Sequence, residues 1–183
     1  MARSHGGDVV LESPPEGGAR FVVTLPALGS AEPPPIGPDD HVRGEGEEGI
    51  VVYADLGCPR CAGDWPRLRE RPGRLVFRHF PVASKHPRSP ALHAATEAAG
   101  RQGRFFEMAD SLYADRSRVD DPHLWQRAEE FGLDLDRFED DRRSAEIQAR
   151  IRRDFESGIR AGVAGTPAVF DACTLQAVRE REF

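Results

Sequence analysis

The chain reads as an α/β domain, and three features of its sequence predict that class. A continuous β-branched run, GIVVYAD (residues 49–55), has the character of a buried central strand. A C-x-x-C, Cys58 to Cys61, follows it directly and opens a stretch of helical pattern. After a second strand-like run, residues 89–162 keep helical spacing until GVAGTPAVF returns to β character.

Taken in order, residues 7–26 read as two short strands, DVVLES and ARFVVTLP, around the turn signal PPEGG. Residues 1–30 are thus a partial β-hairpin appendage. Residues 31–48, full of Pro, Gly and acids, read as a linker with almost nothing to bury. The main domain is 49–183. Within it, CAGDWPRLRE is expected to be a helix broken or kinked at Pro66. RLVFRHFPV is expected to be an alternating strand stopped by proline. SPALHAATEAAG opens with Ser and Pro at first-turn positions, and DPHLWQRAEEFG opens with Asp-Pro and ends in Gly. SAEIQARIRRDFESGIRAG is amphipathic, with Ile147, Ile151 and Phe155 four residues apart. Phe105, Phe106, Leu112, Trp125, Phe131 and Phe138 are expected in the core of this helical block. The charge runs EDDRR and RIRRDFE are expected to be solvated faces. There is no internal repeat.

Composition narrows the function. At 183 residues the chain suits one domain with an appendage. A formal net charge of −6 gives no footprint for nucleic acid or an anionic membrane surface. No apolar run reaches the length of a membrane span. The start, MARSHGGDVV, lacks an export signal, so a cytoplasmic location is expected. Three cysteines make no disulfide framework, and in a reducing compartment a C-x-x-C is catalytic or metal-binding more often than structural. Lys85 is the only lysine.

A C-x-x-C at a strand–helix junction has a physical rationale. The helix N-terminus offers free N–H groups and the positive end of a dipole, and both favour a thiolate on Cys58. Cys61 lies one turn in, placed to resolve a mixed disulfide. Pro59 suits the first helical turn, and Arg60 adds positive charge beside the thiolate. A zinc site would need two more ligands; Cys173 and His79 could be proposed, but their spacing fits no zinc module, and no metal is expected. Cys173 reads as a small core or edge residue and His79 as a satisfied structural histidine. His86 and His93 read as loop and helix-surface residues, and Asp55 as a turn or helix-approach cap.

The order and spacing of GIVVYADLGCPRC, RLVFRHFPV, ALHAATEAAGRQGRFFEMADSLYAD, LWQRAEEFGLDLDRFEDD and DFESGIRAGVAGTPAVF resemble the DsbA-like family of thioredoxin-fold thiol–disulfide oxidoreductases, over about residues 36–170. The resemblance implies a thioredoxin fold with a helical insertion at 89–162. It implies that Thr166–Pro167 is a cis-proline loop facing the C-x-x-C and shaping substrate docking. It implies dithiol–disulfide exchange with cysteine-containing proteins or small-molecule thiols, and a redox partner. No cofactor is expected beyond the Cys58–Cys61 couple itself. A cytoplasmic location would leave the couple reduced and favour reductase or isomerase work. The chain departs from the pattern in three places. Val52 stands where many relatives carry a buried acid that shuttles protons. Gly57 stands where a larger residue is common, which implies more room for substrate. DACTLQAVREREF is too short for a second hairpin strand, a Gly turn and a final helix, which implies shortened C-terminal elements.

Two other readings stand beside this one. Glutathione-dependent relatives with one active-site Ser or Cys are disfavoured by the second cysteine. A degenerate, non-catalytic thioredoxin-fold interaction module is the reading from another class. Separately, SHGGDVVLESPPEGGARFVVTLP resembles the last hairpin of a histidine-kinase ATPase domain. The asparagine-bearing helix and glycine-rich lid of such a domain do not accompany it, so no ATP binding is expected.

Overall fold

Strand β4 (Gly49–Ala54) organises the domain. The computed structural model describes residues 32–178 and the backbone of 8–12 and 20–24. In the latter, β1 (Asp8–Glu12) and β2 (Arg20–Thr24) pair antiparallel, Asp8 opposite Thr24. The turn expected between them lies outside the described residues.

The main sheet also holds β3 (His41–Arg43), β5 (Arg74–His79) and β6 (Ala168–Asp171), in the order β3-β5-β4-β6. β4 and β5 run parallel; β3 and β6 flank them antiparallel. The apolar run of β4 splits by side-chain alternation between two cores. Ile50, Val52 and Ala54 face one, with Trp65, Leu92, Met108, Leu112 and Phe138; Val51 and Tyr53 face the other, with Val76, Phe80 and Phe170. This is why the run is continuous: both faces of the strand are covered.

α1 (Pro59–Arg69) joins β4 to β5. It passes through Pro66 without a break, the first of the two expectations there. Buried Trp65 and Leu68 anchor its inner face, and Trp65 Nε1 donates to Asp110 at 2.7 Å, so tertiary contacts outweigh the one missing N–H. β5 does not alternate in exposure: five of its six residues are buried, because it lies between two strands and under helices.

Five helices form the block between β5 and β6: α2 (Ser89–Gly100), α3 (Phe105–Ala114), α4 (Asp121–Glu130), α5 (Leu135–Arg143) and α6 (Ala145–Arg160). Asp120, Asp134 and Ser144 cap α4, α5 and α6, each accepting a backbone N–H of the first turn. Phe105, Leu112 and Phe138 are core residues as expected, but Trp125 is 43% exposed, its Nε1 donating to Glu139. In α6, Gly158 lets the helix lie directly on the sheet. A Cβ there would stand 2.7 Å from the Phe80 ring and 2.9 Å from Tyr53.

The stretch 31–48, expected as a linker, supplies β3 and two anchors. The buried Arg78 guanidinium grips Asp40 with both carboxylate oxygens, at 2.9 and 3.0 Å, and also donates to the Pro35 carbonyl. Burial of Arg78 is offset by these partners. At the other end, the chain turns at Asp171, whose side chain accepts the N–H groups of Cys173 and Thr174, and folds back so that Ala177 bridges to Phe170.

Candidate active site

Cys58 is the N-cap residue of α1, in extended conformation, with Pro59 at the first helical position. The turn before it is built by Asp55. One carboxylate oxygen accepts Gly57 N–H at 2.8 Å and the Ser89 hydroxyl, and the other accepts Val82 N–H at 2.9 Å. The Asp55 carbonyl accepts Cys58 N–H at 3.0 Å. Asp55 is therefore the turn cap that its position suggests. Burial alone would raise its pKa, but the His93 imidazole, the Ser89 hydroxyl and the Gly57 N–H bring it to about 2.

The two thiols sit in different surroundings. Cys58 is 7% exposed and Cys61 is 1% exposed. The Cys58 pKa falls to about 4. The Cys61 thiol donating to it is the largest cause; burial opposes, and the N–H groups of Cys61 and Arg60 and contact with Thr166 assist. The Cys61 pKa is pushed far up, first by burial and then by the Cys58 sulfur. At neutral pH one sulfur is an anion lining the groove and the other a more deeply buried proton donor to it. Neither is in a disulfide, and the third cysteine, Cys173, is exposed with its sulfur against the Glu47 carbonyl.

The Thr166–Pro167 peptide is cis, and the Thr166 carbonyl oxygen lies 3.6 Å from Cys58 Sγ. The structure thus brings Cys58, Cys61, Pro59, Arg60, Thr166 and Pro167 into one place. A groove of about 970 Å³ runs past Cys58, Thr166 and Pro167, with Phe155, Ile159 and Val163 as its apolar wall. Gly57 does not leave the extra room expected of it. A Cβ there would stand 2.8 Å from His86 Cβ, so that side chain already fills the space.

Two features of the site were not anticipated. The first is Tyr113 on α3. Its hydroxyl is buried and has no nitrogen or oxygen partner, and it lies against the Cys61 sulfur. Burial, and then its neighbours Cys61, Asp55 and Cys58, raise its pKa well above the ordinary value, so it stays a neutral O–H. The second is a buried polar chain behind the turn. His41 Nε2 and His79 Nε2 both bond Glu97 Oε1, at 2.7 and 2.6 Å. His79 Nδ1 bonds His93 Nδ1, and His93 Nε2 accepts the N–H of Leu56, the residue after Asp55 and two before Cys58. His93 is wholly buried, not on a helix surface. Asp154, in a run expected to be solvated, is also buried and accepts His79 N–H at 3.0 Å; burial raises its pKa. The sequence does carry a signal for this chain: His93 and Glu97 are spaced i, i+4 in an otherwise alanine-rich helix, so they share a face. Their partners come from β3 and β5, which no local pattern shows.

Among the described residues, His41, His79 and Glu97 are the set that could hold a metal ion, with ligand atoms within 4.8 Å of one another. Their atoms already satisfy each other as hydrogen-bond donors and acceptor, and the Arg150 guanidinium lies 3.8 Å from Glu97 Oε1. Val52 is packed among apolar residues.

Comparison with known proteins agrees with this geometry. The model of the DSBA-like thioredoxin domain matches residues 73–172. Among solved structures, a thioredoxin-like oxidoreductase from Silicibacter pomeroyi superposes with a TM-score of 0.66 at 25% identity, over 74% of this chain and 81% of that one. Wolbachia pipientis alpha-DsbA1 gives 0.66 at 21% identity over 80% and 81%, and Pseudomonas aeruginosa DsbA2 gives 0.60 at 24% over 79% and 91%. Among curated proteins, a Na(+)/H(+) antiporter NhaA 3 from Salinispora tropica is 40% identical over 147 residues, covering 74% of this chain and 22% of its own. An NhaA antiporter from Herminiimonas arsenicoxydans is 36% identical over 166 residues, covering 80% and 26%. The chain spans about a quarter of the length of these curated relatives.

Proposed function

The chain belongs to the DSBA-like thioredoxin domain family, and from that premise we propose that it exchanges dithiols and disulfides through Cys58 and Cys61. The observation that carries this is the split between the two thiols: an acidic Cys58 at a helix N-terminus, and a Cys61 that burial holds protonated. Cys58 is the sulfur attacked by, or attacking, the substrate, and Cys61 resolves the mixed disulfide. Thr166 and cis-Pro167, whose carbonyl neighbour borders Cys58 Sγ, would hold the substrate backbone in the groove.

The same split favours one direction. A thiolate stabilised in the reduced protein makes the Cys58–Cys61 disulfide easier to reduce, and therefore a better oxidant. The proposal is accordingly a dithiol oxidase, in place of the reductase or isomerase direction expected from a reducing compartment. In one turnover a substrate thiolate attacks Cys58 Sγ of the disulfide, and Cys61 leaves and takes up a proton. The second substrate thiolate attacks the mixed disulfide and releases the Cys58 thiolate. Two electrons pass from substrate to protein. A thiol oxidant or redox partner must then restore the disulfide.

Among the described residues no helix is long and apolar enough to cross a membrane. Cation–proton antiport, for which the curated relatives are named, is not assigned to the residues described. The test is a single-turnover reaction between the oxidised protein and a dithiol peptide, with Cys58→Ser as control. Peptide oxidation at one equivalent per protein, lost in the control, supports the proposal. A folded but inert wild-type protein would leave the interaction-module reading in its place.

A further inference from the structure

The charge around Cys58 differs in sign from the charge of the whole chain. The sequence has 31 acidic residues against 25 lysines and arginines. Yet among the described residues no carboxylate lines the groove beside Cys58, and Arg60, Lys85 and His86 do. A second depression of about 210 Å³ adjoins it on the Gly57 side. It too has no acid among its lining residues, and Lys85, His86, Arg88 and Arg116 border it.

The charges on Arg60, Lys85, Arg88 and Arg116 are not equally available. Arg88 is engaged by Asp121 at 2.7 Å, and Arg60 has Asp64 at 3.8 Å. Lys85 and Arg116 make no ion pair among the described residues; Arg116 donates to the Gly57 carbonyl at 3.2 Å, in the turn that leads to Cys58. Uncompensated charge lining a cleft focuses a field along it and favours ligands of opposite sign. The apolar wall at Phe155, Ile159 and Val163 supplies contact area without charge preference, in a groove of about 970 Å³.

We propose that the substrate is a peptide thiol carrying acidic side chains beside the reacting cysteine, with Lys85 and Arg116 as the residues that select for them. This rests on the exchange activity proposed above and deepens it. The peptide lies along the apolar wall past Cys58 and Thr166, and its carboxylates reach the Lys85–Arg116 side. Chemistry is unchanged: the peptide thiolate attacks Cys58 Sγ and Cys61 leaves.

The test compares three dithiol peptides that differ only near the reacting cysteine, by Glu, Gln or Lys. Single-turnover rates are measured with the oxidised wild-type protein and with Lys85→Glu. The readout is the Glu-to-Lys rate ratio in each protein, since the quotient of the two ratios cancels each peptide's own thiol reactivity. A ratio about fivefold or more higher in wild type than in the variant is expected, from exposed pair energies up to about 1 kcal/mol exchanged for repulsion. The wild-type ratio should also shrink as salt rises from about 10 to about 150 mM, as the screening length falls from about 30 to about 8 Å. The salt series and an Arg116→Gln variant keep the test open should Lys85→Glu fold poorly. Equal ratios in both proteins with no salt dependence, while the Gln peptide is oxidised, overturn the selectivity alone. Failure to oxidise any of the three overturns the exchange activity as well.

Discussion

The acidity of Cys58 is predicted to depend on the proton that Cys61 holds. Replacing Cys61 by Ala removes the thiol that is the largest cause of the low Cys58 pKa, and leaves the N–H groups of residue 61 and of Arg60 in place. A hydrogen bond to a charged group contributes about 1.5–3 kcal/mol. One pKa unit corresponds to about 1.36 kcal/mol, so the loss should raise the Cys58 pKa by about one to two units from its value of about 4. Cys61→Ser keeps a donor of similar reach and should move it less. The assay is ultraviolet thiolate absorbance against pH in the reduced protein. It should be run in a Cys173→Ser background, so that the exposed third thiol adds nothing to the signal. The sign follows from linkage: a depressed pKa means the reduced fold is favoured as pH rises from about 4 toward the free-thiol value of about 8.5, and loses that advantage as pH falls through about 4. Equal titrations for the Ala and Ser variants would refute the role given to the Cys61 proton. A wild-type thiolate titrating near about 8.5 would refute the whole reading of the helix terminus.

Three further outcomes test the frame around the site. Gly158→Ala should destabilise the protein by about 1–3 kcal/mol in denaturant unfolding, because a Cβ at that point meets the Phe80 and Tyr53 rings; an unchanged midpoint would mean α6 can lift off the sheet at little cost. Stability of a Cys58→Ser/Cys61→Ser protein should be flat above about pH 6.5 and fall toward about pH 3. Burial depresses the His79 pKa to about 3 against the Glu97 contacts that favour the cation, so the unfolded chain binds a proton that the fold refuses. The slope is bounded at about 1.4 kcal/mol per pH unit for that one proton. Glu97, held below its ordinary pKa, adds loss of the same sign at the acid end, and Asp154, held above its own, offsets part of it. A pH-independent midpoint over that range would count against a neutral His79. Tyr113→Phe should leave stability unchanged or raise it by up to about 1 kcal/mol, since the buried hydroxyl has no nitrogen or oxygen partner to lose. A large loss would show that its contact with the Cys61 sulfur is a strong hydrogen bond.

What could be read from the sequence was what short spacings determine. The β-branched run at 49–55, the C-x-x-C at a helix start and the 3.6-residue periodicity beyond residue 89 are each local, and each formed the expected element. The stretch 31–48 was misjudged for the opposite reason. Its anchors are single polar residues: Asp40, which pairs with Arg78 thirty-eight positions on, and His41, which pairs with Glu97 fifty-six on. No composition window detects a pairing of that separation. The same holds for the buried histidines. His93 and Asp154 each look like surface residues within their own helices, and become core residues because β5 brings His79 between them. Pro66 failed as a helix breaker because Trp65 and Leu68 are held by packing.

The site shows how one helical turn separates two identical side chains. Cys58, as N-cap, meets the unpaired N–H groups of the first turn from outside; Cys61 lies inside that turn, among Leu56, Trp65 and Leu92, where an anion has no solvent. Each position makes the other more extreme, because the proton that burial keeps on Cys61 is the one that stabilises the charge on Cys58. Such a pair does not need an acid at Val52 to be polarised. What it does need is a turn that holds the two sulfurs at hydrogen-bonding reach, and that turn is fixed by Asp55 through Gly57, Val82 and Ser89, and by His93 through the Leu56 N–H. The polar network behind the cysteines is thus better understood as the support of their geometry than as a second site, with His93 Nε2 accepting the Leu56 N–H and Glu97 accepting from His41 and His79.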